Sequence, residues 1–221
     1  MAGARFLYLH GFASGPHSKK GVAFERHFAD RGRSIERLDL RVPSFERLRL
    51  SAMIETVRAA IGDRHDHAIL IGSSLGGLAA ARVAERDPRV VAVVLLAPAF
   101  GLVERWRHQL GSSWDDWRRT GWYDVIDRTT NQPARIDFGF AEDIIAIDVG
   151  VPDVRVPTLI LHGVRDDIVP IDHSRRFAEQ NPHANLVELD DDHELISSLP
   201  RLLDETERFV QSLVTYSPPG M

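Results

Sequence analysis

The sequence predicts an α/β fold: a mainly parallel sheet with helices on both faces and a short helical lid inserted between two strands. Short apolar runs rich in β-branched residues alternate with longer segments of helical period. One run, Val90–Leu96, is apolar throughout, which is typical of a parallel strand covered on both faces. The length of 221 residues suits one domain, which we assign to residues 1–216, and we expect 217–221 to form a flexible tail.

Each element is predicted from its own pattern. Apolar runs bounded by Gly, Pro or polar residues predict strands at residues 6–10, 34–40, 68–71, 90–96, 158–162 and 185–189. Apolar residues at helical spacing predict helices at about 19–31, 47–61 and 75–86, and a C-terminal helix that carries Leu199, Leu202, Leu203, Thr206, Phe209, Val210 and Leu213. Pro88 ends the third of these helices.

The alternation of strands and helices lapses over about residues 99–156, which we interpret as an insertion that forms a short helical lid. This segment contains all four tryptophans, Trp106, Trp114, Trp117 and Trp122. Two interpretations of these residues stay open. Aromatic side chains at such spacings most often pack a lid against the body, and the alternative is that one or two of them also line an apolar substrate pocket.

Composition excludes several classes of function. The net charge of -5 argues against nucleic acid as a partner, because phosphate binding needs a basic face. The chain has no cysteine, which excludes disulfides, cysteine nucleophiles and thiolate metal sites. No apolar run is long enough for a membrane span or a signal peptide, so we expect a cytoplasmic protein without a membrane partner. The pattern predicts no particular oligomeric state.

The pentapeptide Gly72-Ser73-Ser74-Leu75-Gly76 lies between an apolar strand and an Ala-rich helix. In that setting G-x-S-x-G is typical of a nucleophile elbow, a strained turn that exposes the serine at the carboxyl end of a strand. The alternative is an ordinary connecting loop rich in Ser and Gly. The flanking strand and helix favour the elbow, with Ser74 as the nucleophile.

A serine hydroxyl needs a base, and the base needs an orienting carboxylate. In chains with this elbow the three follow in the order Ser, Asp or Glu, then His. The loop after the strand at 158–162 offers Asp166 and Asp167, and its H-G-x-x-D-x-x-V-P pattern favours Asp166, which leaves Asp167 as a solvated turn residue. His193 follows the last strand, where the base must lie. We therefore predict Ser74, Asp166 and His193 as the catalytic set.

Two histidine patterns resemble metal sites. His65 and His67 flank Asp66, but no third ligand is evident, so a solvated loop is favoured. The acidic run at 190–192 beside His193 also resembles a set of metal ligands, but its position after the last strand favours the role of base for His193. We predict neither a metal nor a cofactor.

The residues His10-Gly11-Phe12 follow the first apolar strand. An oxyanion hole in this architecture takes one backbone N–H from the residue after the nucleophile and one from such an early loop. We therefore predict the N–H groups of Leu75 and Phe12 as its donors. We expect His10 to fix the loop through hydrogen bonds rather than to take part in catalysis.

With these motifs the chain resembles the small bacterial YqiA-type esterases of the α/β-hydrolase superfamily. The resemblance lies in Tyr8-Leu-His-Gly-Phe12, in Ser14-Gly-Pro-His-Ser-Lys19 and in Gly72-Ser-Ser-Leu-Gly-Gly77. The loop from His162-Gly163 to Val169-Pro170 is similar to that of the acyl-thioesterase branch of the alpha/beta-hydrolase-domain proteins.

The resemblance implies the catalytic set and oxyanion donors named above, small-molecule ester or thioester substrates with short to medium acyl chains, and no cofactor. The chain departs from such families before the base. They often have Gly-Asp-His there, and this chain has Asp191-Asp192-His193.

Two rival functions remain. The first keeps the fold and changes the bond that is cleaved, as in an aminopeptidase, a C–C hydrolase or a perhydrolase. An aminopeptidase would need an acidic pocket, for which Glu104, Asp115 and Asp116 in the insertion are candidates. The second is a non-enzymatic binding protein on a degenerate hydrolase fold, but such proteins usually lose a member of the catalytic set, and this chain retains all three.

Overall fold

The computed structural model describes residues 4–64 and 66–215, with the backbone alone described at 214 and 215. The strands in these residues are β1 (Arg5–Leu9), β2 (Ile35–Leu38), β3 (Ala68–Ser73), β4 (Val90–Leu96), β5 (Trp122–Asp127), β6 (Gln132–Asp137), β7 (Thr158–Gly163) and β8 (Ala184–Leu189). The helices are α1 (Lys19–Ala29), α2 (Leu50–Ile61), α3 (Leu75–Ala84), α4 (Leu102–Leu110), α5 (Ser112–Thr120), α6 (Gly139–Ile147), α7 (Asp172–Gln180) and α8 (Leu199–Thr215). The tail predicted at 217–221 and His65 lie outside the described residues. None of the described helices is long and apolar enough to cross a membrane.

Six strands form one parallel sheet in the order β2-β1-β3-β4-β7-β8, which confirms the predicted α/β fold. In the central pair, Tyr8 of β1 lies beside Ile71 of β3, and Leu9 lies beside Gly72, so the two strands end level with each other. The chain reverses its direction of winding between β1 and β3. Ligands of open α/β sheets bind outside the carboxyl ends of the strands at such a reversal.

Helices cover both faces of the sheet, as predicted. Successive side chains of a strand point to opposite faces. Leu7 and Leu9 of β1 therefore join one hydrophobic cluster with residues of α2 and α3, whereas Tyr8 joins a second cluster with Phe24 and Phe28 of α1. All five side chains are almost fully buried. Burial on both faces explains why the central strands are mostly apolar, and β4 entirely so.

The insertion at 99–156 contains α4, α5 and α6, and it also contains a two-stranded antiparallel sheet formed by β5 and β6. The helical prediction for this segment omits the hairpin. Its strands are short, and β6 includes Pro133, a residue that argues against a strand because it cannot donate to a ladder. Asn131, with φ of 56°, closes the turn between the two strands.

Polar contacts join the insertion to the body of the protein. The guanidinium of Arg49, directly before α2, donates two hydrogen bonds of 2.7 and 2.8 Å to the carboxylate of Asp137 at the end of β6. The backbone N–H of Arg128, in the hairpin turn, donates to the carbonyl oxygen of Ala13 at 2.8 Å. These contacts hold the hairpin beside the loop that follows β1.

Candidate active site

Ser74 occupies a strained turn between β3 and α3. Its φ of 51° and ψ of -115° form a backbone conformation that residues other than glycine rarely adopt. Its N–H donates to the carbonyl of Leu96 at 2.9 Å, and its own carbonyl accepts from the N–H groups of Leu78 and Ala99 at 3.1 and 3.0 Å. Bonds to α3 and to the end of β4 with the loop that follows it hold the turn in this conformation.

The flanking glycines are required because other backbone passes close to them. A Cβ at Gly72 would overlap the backbone of Gly76. A Cβ at Gly76 would lie 2.6 Å from the carbonyl oxygen of His10 and would also overlap the carbonyl of Leu9. The start of α3 therefore packs directly against the end of β1. This packing brings the loop after β1 next to Ser74.

Ser74, His193 and Asp166 form a series of hydrogen-bond contacts. Nε2 of His193 is 3.0 Å from Oγ of Ser74, and Nδ1 of His193 is 2.7 Å from Oδ2 of Asp166. Because an ionised carboxylate only accepts, Nδ1 carries a proton and Nε2 is free to accept one from the serine. The three residues follow β3, β7 and β8, whose carboxyl ends meet at one edge of the parallel sheet. The structure thus brings together all three residues predicted as the catalytic set.

The carboxylate of Asp166 is completely buried and accepts four hydrogen bonds. Besides the bond from His193, Nε2 of His162 contacts Oδ2 at 3.0 Å, and the N–H groups of Ile168 and Val169 donate to Oδ1 at 3.0 and 2.7 Å. Burial raises the pKa of this carboxyl, but the bonds from His162, His193 and Val169 outweigh burial and hold the pKa well below its usual range. Asp166 is therefore ionised at neutral pH.

His162, near the end of β7, is a second histidine partner of Asp166 and is completely buried. Its Nε2 lies 2.9 Å from the carbonyl oxygen of Val169 as well as 3.0 Å from Asp166. Both partners are acceptors, so Nε2 carries a proton, and the hydroxyl of Ser174 donates to Nδ1 at 2.7 Å. The ring of His162 therefore fixes the loop that carries Asp166, hereafter the acid loop, against the start of α7.

The loop that carries His193 is organised by its own acidic residues. The carboxylate of Asp191, which is 3% exposed, accepts from the backbone N–H groups of Asp192 and Ser198 at 2.9 and 2.7 Å. Burial raises the pKa of Asp191, and these N–H donors outweigh burial, so the pKa is lowered.

In the part of the chain that the structure describes, no group of three or more His, Cys, Asp or Glu side chains could hold a metal ion.

Glu194, the residue after His193, is held from two sides. Nζ of Lys20 in α1 donates to its backbone carbonyl at 2.6 Å. Nη1 of Arg128 donates to its carboxylate at 2.5 Å. The second contact links the hairpin of the insertion to the loop that carries the candidate base.

His10 shapes the loop that follows β1. The ring is 3% exposed, and its Nε2 accepts from the N–H of Leu40 at 3.0 Å. Nδ1 therefore carries a proton and donates to the carbonyl of Gly11 at 2.9 Å. Burial lowers the pKa of His10, so the ring is uncharged at neutral pH. A Cβ on Gly11 would lie 3.3 Å from that of Ser74, which shows how closely this loop passes the serine.

The two predicted oxyanion donors belong to segments next to the serine. Leu75 follows Ser74 directly and is the first residue of α3, where N–H groups have no partner within the helix. Phe12 follows the Gly11 turn and lines the same cavity as Ser74. Their role as donors stays a prediction.

Ser74 and His193 open into a cavity of about 770 Å³. Its wall combines the loop after β1, the start of α1, α4, the hairpin, and the loops that carry the acid and the base. Phe12 and Trp106 form an aromatic part of this wall, with their rings in edge-to-face contact at 5.4 Å between centroids. The volume suits a small organic substrate.

Of the four tryptophans, the structure places Trp106 alone in the cavity wall. Trp114 and Trp117, 7% and 2% exposed, pack edge to face against each other inside the insertion. Trp122 begins β5, where the guanidinium of Arg135 lies 4.1 Å from the ring centroid. These three tryptophans hold the insertion together. The structure does not bring them to the cavity, because the helical face that carries Trp114 and Trp117 points into the interior of the insertion.

The acidic residues considered for an aminopeptidase lie away from the cavity. Glu104, Asp115 and Asp116 are exposed and do not line it. The carboxylates that line its described wall are those of Asp124 and Glu194. Glu104, Asp115 and Asp116 therefore form no acidic pocket beside Ser74.

Sequence reasoning missed two residues near the site. The pairing of His162 with Asp166 had a signal, because the H-G-x-x-D pattern places a histidine at the end of a strand and the acid four positions later. Arg105, which lines the cavity, had none, because it is one of two arginines on a short helix of the insertion. Asp167, the alternative acid, is exposed.

The parallel sheet, the strained serine turn after β3 and the Ser-His-Asp contacts are together those of an α/β-hydrolase fold. The chain belongs to UPF0227, described as an uncharacterised protein family, whose model matches residues 5–209. This match confirms the family resemblance found in the sequence. None of the curated protein sequences compared with the chain matches it.

Solved structures with the same fold include several hydrolases. Alpha/beta hydrolase domain-containing protein 10 from mouse is 23% identical, with a TM-score of 0.78 over 94% of this chain and 90% of that one. Est1E from Butyrivibrio proteoclasticus, solved with ferulic acid bound, is 21% identical, with a TM-score of 0.82 over 96% and 90%. A monoacylglycerol lipase from Paleococcus ferrophilus is 18% identical, with a TM-score of 0.68 over 91% and 96%. At these identities the likeness shows the shared fold.

Proposed function

We propose that this protein is a serine hydrolase that cleaves carboxylic esters or thioesters through an acyl-enzyme. The observation that carries the proposal is the series of contacts from Ser74 through His193 to Asp166, at 3.0 and 2.7 Å. The strained turn at Ser74 and the cavity beside it support the same reaction. The similar structures include a monoacylglycerol lipase and Est1E with ferulic acid bound, which favours ester chemistry. The proposal involves no metal or cofactor.

Acylation begins when Oγ of Ser74 attacks the acyl carbonyl carbon and His193 accepts the serine proton at Nε2. The carbonyl oxygen becomes an oxyanion, which accepts hydrogen bonds from the N–H groups of Phe12 and Leu75. Each such donor contributes about 3 kcal/mol to stabilising the transition state. His193 then donates its proton to the leaving alcohol or thiol, and the acyl group stays on Ser74.

Deacylation repeats these steps with water. His193 accepts a proton from water as the water oxygen attacks the acyl-enzyme, and it returns that proton to Oγ of Ser74 when the acid leaves. The ionised carboxylate of Asp166 stabilises the imidazolium in both halves of the reaction and keeps Nδ1 protonated. His162 takes no proton in this scheme, and it holds Asp166 in place.

The first experiment is hydrolysis of p-nitrophenyl butyrate by the wild type and by Ser74→Ala. We expect kcat to fall by about 10⁵- to 10⁶-fold in the variant, because the residues of such a set act as a unit. Circular dichroism and the urea midpoint check that the variant is folded. Hydrolysis by Ser74→Ala at the wild-type rate would refute the proposal.

Labelling with a fluorophosphonate tests the nucleophile separately from any choice of substrate. Ser73 provides a matched control, because it is the neighbouring serine and also lines the cavity. We expect the label on Ser74 in the wild type and in Ser73→Ala, and no label in Ser74→Ala. A folded wild-type protein that takes no label would count against an activated serine.

Comparing rates of hydrolysis for different substrates distinguishes an esterase from the rival functions that cleave another type of bond. We expect cleavage of p-nitrophenyl butyrate and of a butyryl thioester, and no cleavage of an aminoacyl anilide, because Glu104, Asp115 and Asp116 do not line the cavity and Glu194, which does, is paired with Arg128. Faster cleavage of the anilide would favour an aminopeptidase. A panel of esters from acetyl to hexanoyl, repeated with Trp106→Ala, then tests whether this tryptophan contacts the acyl chain.

A further inference from the structure

Three lysines or arginines are buried among the residues that the structure describes, and only Arg82 forms ion pairs with carboxylates there. Arg82, 1% exposed, contacts the carboxylates of Asp148 and Glu85 at 2.6 and 3.1 Å. Lys20 and Arg105, 8% and 9% exposed, form no ion pair with a carboxylate in the described part of the chain. Both line the cavity that contains the candidate nucleophile. Buried charges are normally paired, because removing them from water is costly.

Lys20 is partly compensated by its surroundings, and Arg105 is much less so. Burial lowers the pKa of Lys20, and three nearby carboxylates oppose this effect: Glu194, Asp191 and Asp192. Burial lowers the pKa of Arg105 to about 10, so it stays protonated at neutral pH, and one carboxylate, Asp166, opposes the effect. Asp166 already accepts hydrogen bonds from two histidines. Arg105 is therefore the least compensated buried cation of the three.

The hydrogen bonds of Arg105 orient its guanidinium without neutralising it. Nε donates to the carbonyl of Phe100 at 3.2 Å, and Nη1 donates to the carbonyl of Ile168 at 2.5 Å. Nη2 is buried without a hydrogen-bond partner in the described residues. Carbonyl oxygens are dipoles, so the net positive charge remains. A buried cation without an ion pair among the described residues, in the wall of the cavity that holds Ser74, favours an anion as the missing partner.

We propose that the cavity binds anionic substrates: esters or thioesters that carry a carboxylate or a phosphate, whose negative charge Arg105 compensates. The inference rests on the proposed hydrolase function and adds the charge of the substrate to it. The chain as a whole has a net charge of -5, so without local positive charge it would repel such a substrate. The anionic group belongs either to the acyl part or to the leaving group, and either source supplies the same partner.

The alternative role of Arg105 is purely structural. Its bond to the carbonyl of Ile168 tethers α4 to the loop that carries Asp166. Loss of a tether would slow the hydrolysis of neutral and anionic substrates alike. Loss of charge recognition lowers the ratio between them. The ratio of kcat/KM for an anionic substrate to that for its neutral analogue is therefore the decisive quantity.

Two matched pairs of substrates measure this ratio. p-Nitrophenyl hemisuccinate and p-nitrophenyl butyrate have acyl chains of equal length and differ by a terminal carboxylate. 1-Butyrylglycerol 3-phosphate and 1-butyrylglycerol differ by a phosphate on the leaving group. The pair that shows the preference identifies whether the anionic group lies on the acyl part or on the leaving group.

The variants are Arg105→Gln, Arg105→Lys and the control Arg107→Gln. Arg107 is exposed on the same helix and does not line the cavity, so the control removes the same charge from α4. We expect the anionic-to-neutral ratio to fall about 10- to 100-fold in Arg105→Gln. The ratio should recover in part in Arg105→Lys, which keeps the charge, and it should stay at the wild-type value in Arg107→Gln.

A ratio that is unchanged in Arg105→Gln for both pairs would overturn this inference, while hydrolysis of the neutral esters would still uphold the proposed function. If the wild type cleaves none of the four substrates, the proposed function fails. Calorimetry with Ser74→Ala then tests the inference through binding alone. Tighter binding of the hemisuccinate than of the butyrate, abolished by adding Arg105→Gln, supports it, and equal binding overturns it. If Arg105→Gln does not fold, calorimetry with Ser74→Ala decides: tighter binding of the hemisuccinate than of the butyrate supports the inference, and equal binding overturns it.

Discussion

The close approach of α3 to the end of β1 allows a quantitative test of how the serine turn is positioned. In Gly76→Ala, the added Cβ would lie 2.6 Å from the carbonyl oxygen of His10 and would overlap that of Leu9. Close carbon–oxygen contacts in proteins begin at about 3.3 Å. The difference between these two distances requires the His10 carbonyl and the new methyl group to separate by about 0.7 Å.

This displacement has a cost in stability and a larger cost in catalysis. β1 is paired on both sides, with β2 and β3, so its end cannot shift freely. Overpacking of this kind destabilises by about 1–3 kcal/mol. The displaced loop carries Phe12, the proposed oxyanion donor, and a misplacement of about 1 Å lowers a catalytic rate by about 100-fold. We therefore expect kcat/KM for p-nitrophenyl butyrate to fall by about 100-fold.

Gly32→Ala is the matched control for this prediction. Gly32 has φ of +72°, and an added Cβ there would meet nothing within 4 Å. The unfavourable backbone conformation costs about 1–2 kcal/mol, without contact to the active site. Urea denaturation should show a comparable loss of stability in both variants, and steady-state kinetics should show loss of activity in Gly76→Ala alone. Wild-type kcat/KM in folded Gly76→Ala would refute the reasoning.

Three further perturbations test single contacts. Replacing Arg82 by Met leaves Asp148 buried without its partner and should lower the free energy of unfolding by about 3–5 kcal/mol in urea denaturation, whereas a loss below about 1 kcal/mol would contradict the pairing. Because hydrogen bonds lower the folded-state pKa of Asp166, its charge stabilises the fold above the unfolded pKa of about 3.9, and this contribution is lost as the pH falls below that value. The stability difference between wild type and Asp166→Asn should therefore shrink as the pH falls from about 5 to about 2, and a constant difference over that range would exclude the effect. Trp117→Phe removes the donor to the Ile136 carbonyl and should cost about 1–3 kcal/mol with kcat/KM unchanged, and a fall in kcat/KM alone would place Trp117 in the site after all.

The sheet and the candidate triad could be predicted from sequence for physical reasons. A parallel strand covered on both faces is mostly apolar, so β4 and the centre of β7 at residues 159–161 stand out from their surroundings. The turn after β3 needs residues without side chains where the backbone passes closest, so Gly72 and Gly76 mark it. Once the strands are known to be parallel, residues that directly follow them must lie at one edge. That reasoning brings Asp166 and His193 to Ser74, and His193 does so across more than half the chain.

The insertion could not be predicted in the same detail. Short helices with aromatic and charged residues leave open which face meets the body and which meets the cavity. In the structure Trp106 lines the cavity and Trp114 is buried inside the insertion, although both belong to the same aromatic cluster. Arg105 resembles a solvated surface residue in the sequence, and its burial follows from tertiary packing against the acid loop. Pro133 argued against a strand in the sequence. The structure accommodates it because β6, among the described strands, pairs with β5 on one side and has a free edge on the other.

The hydrogen bond between His193 and Ser74 joins residues 119 positions apart, and His193 follows β8, one of the two edge strands of the six-stranded sheet. Contacts of such long sequence separation form late, because the chain must lose much conformational entropy before they are made. A folding intermediate in which β8 has not docked would have the serine turn complete and the base absent. The proposed activity would then appear after helices and most of the sheet have formed. In a refolding experiment, recovery of hydrolysis would therefore report completion of the fold rather than its beginning.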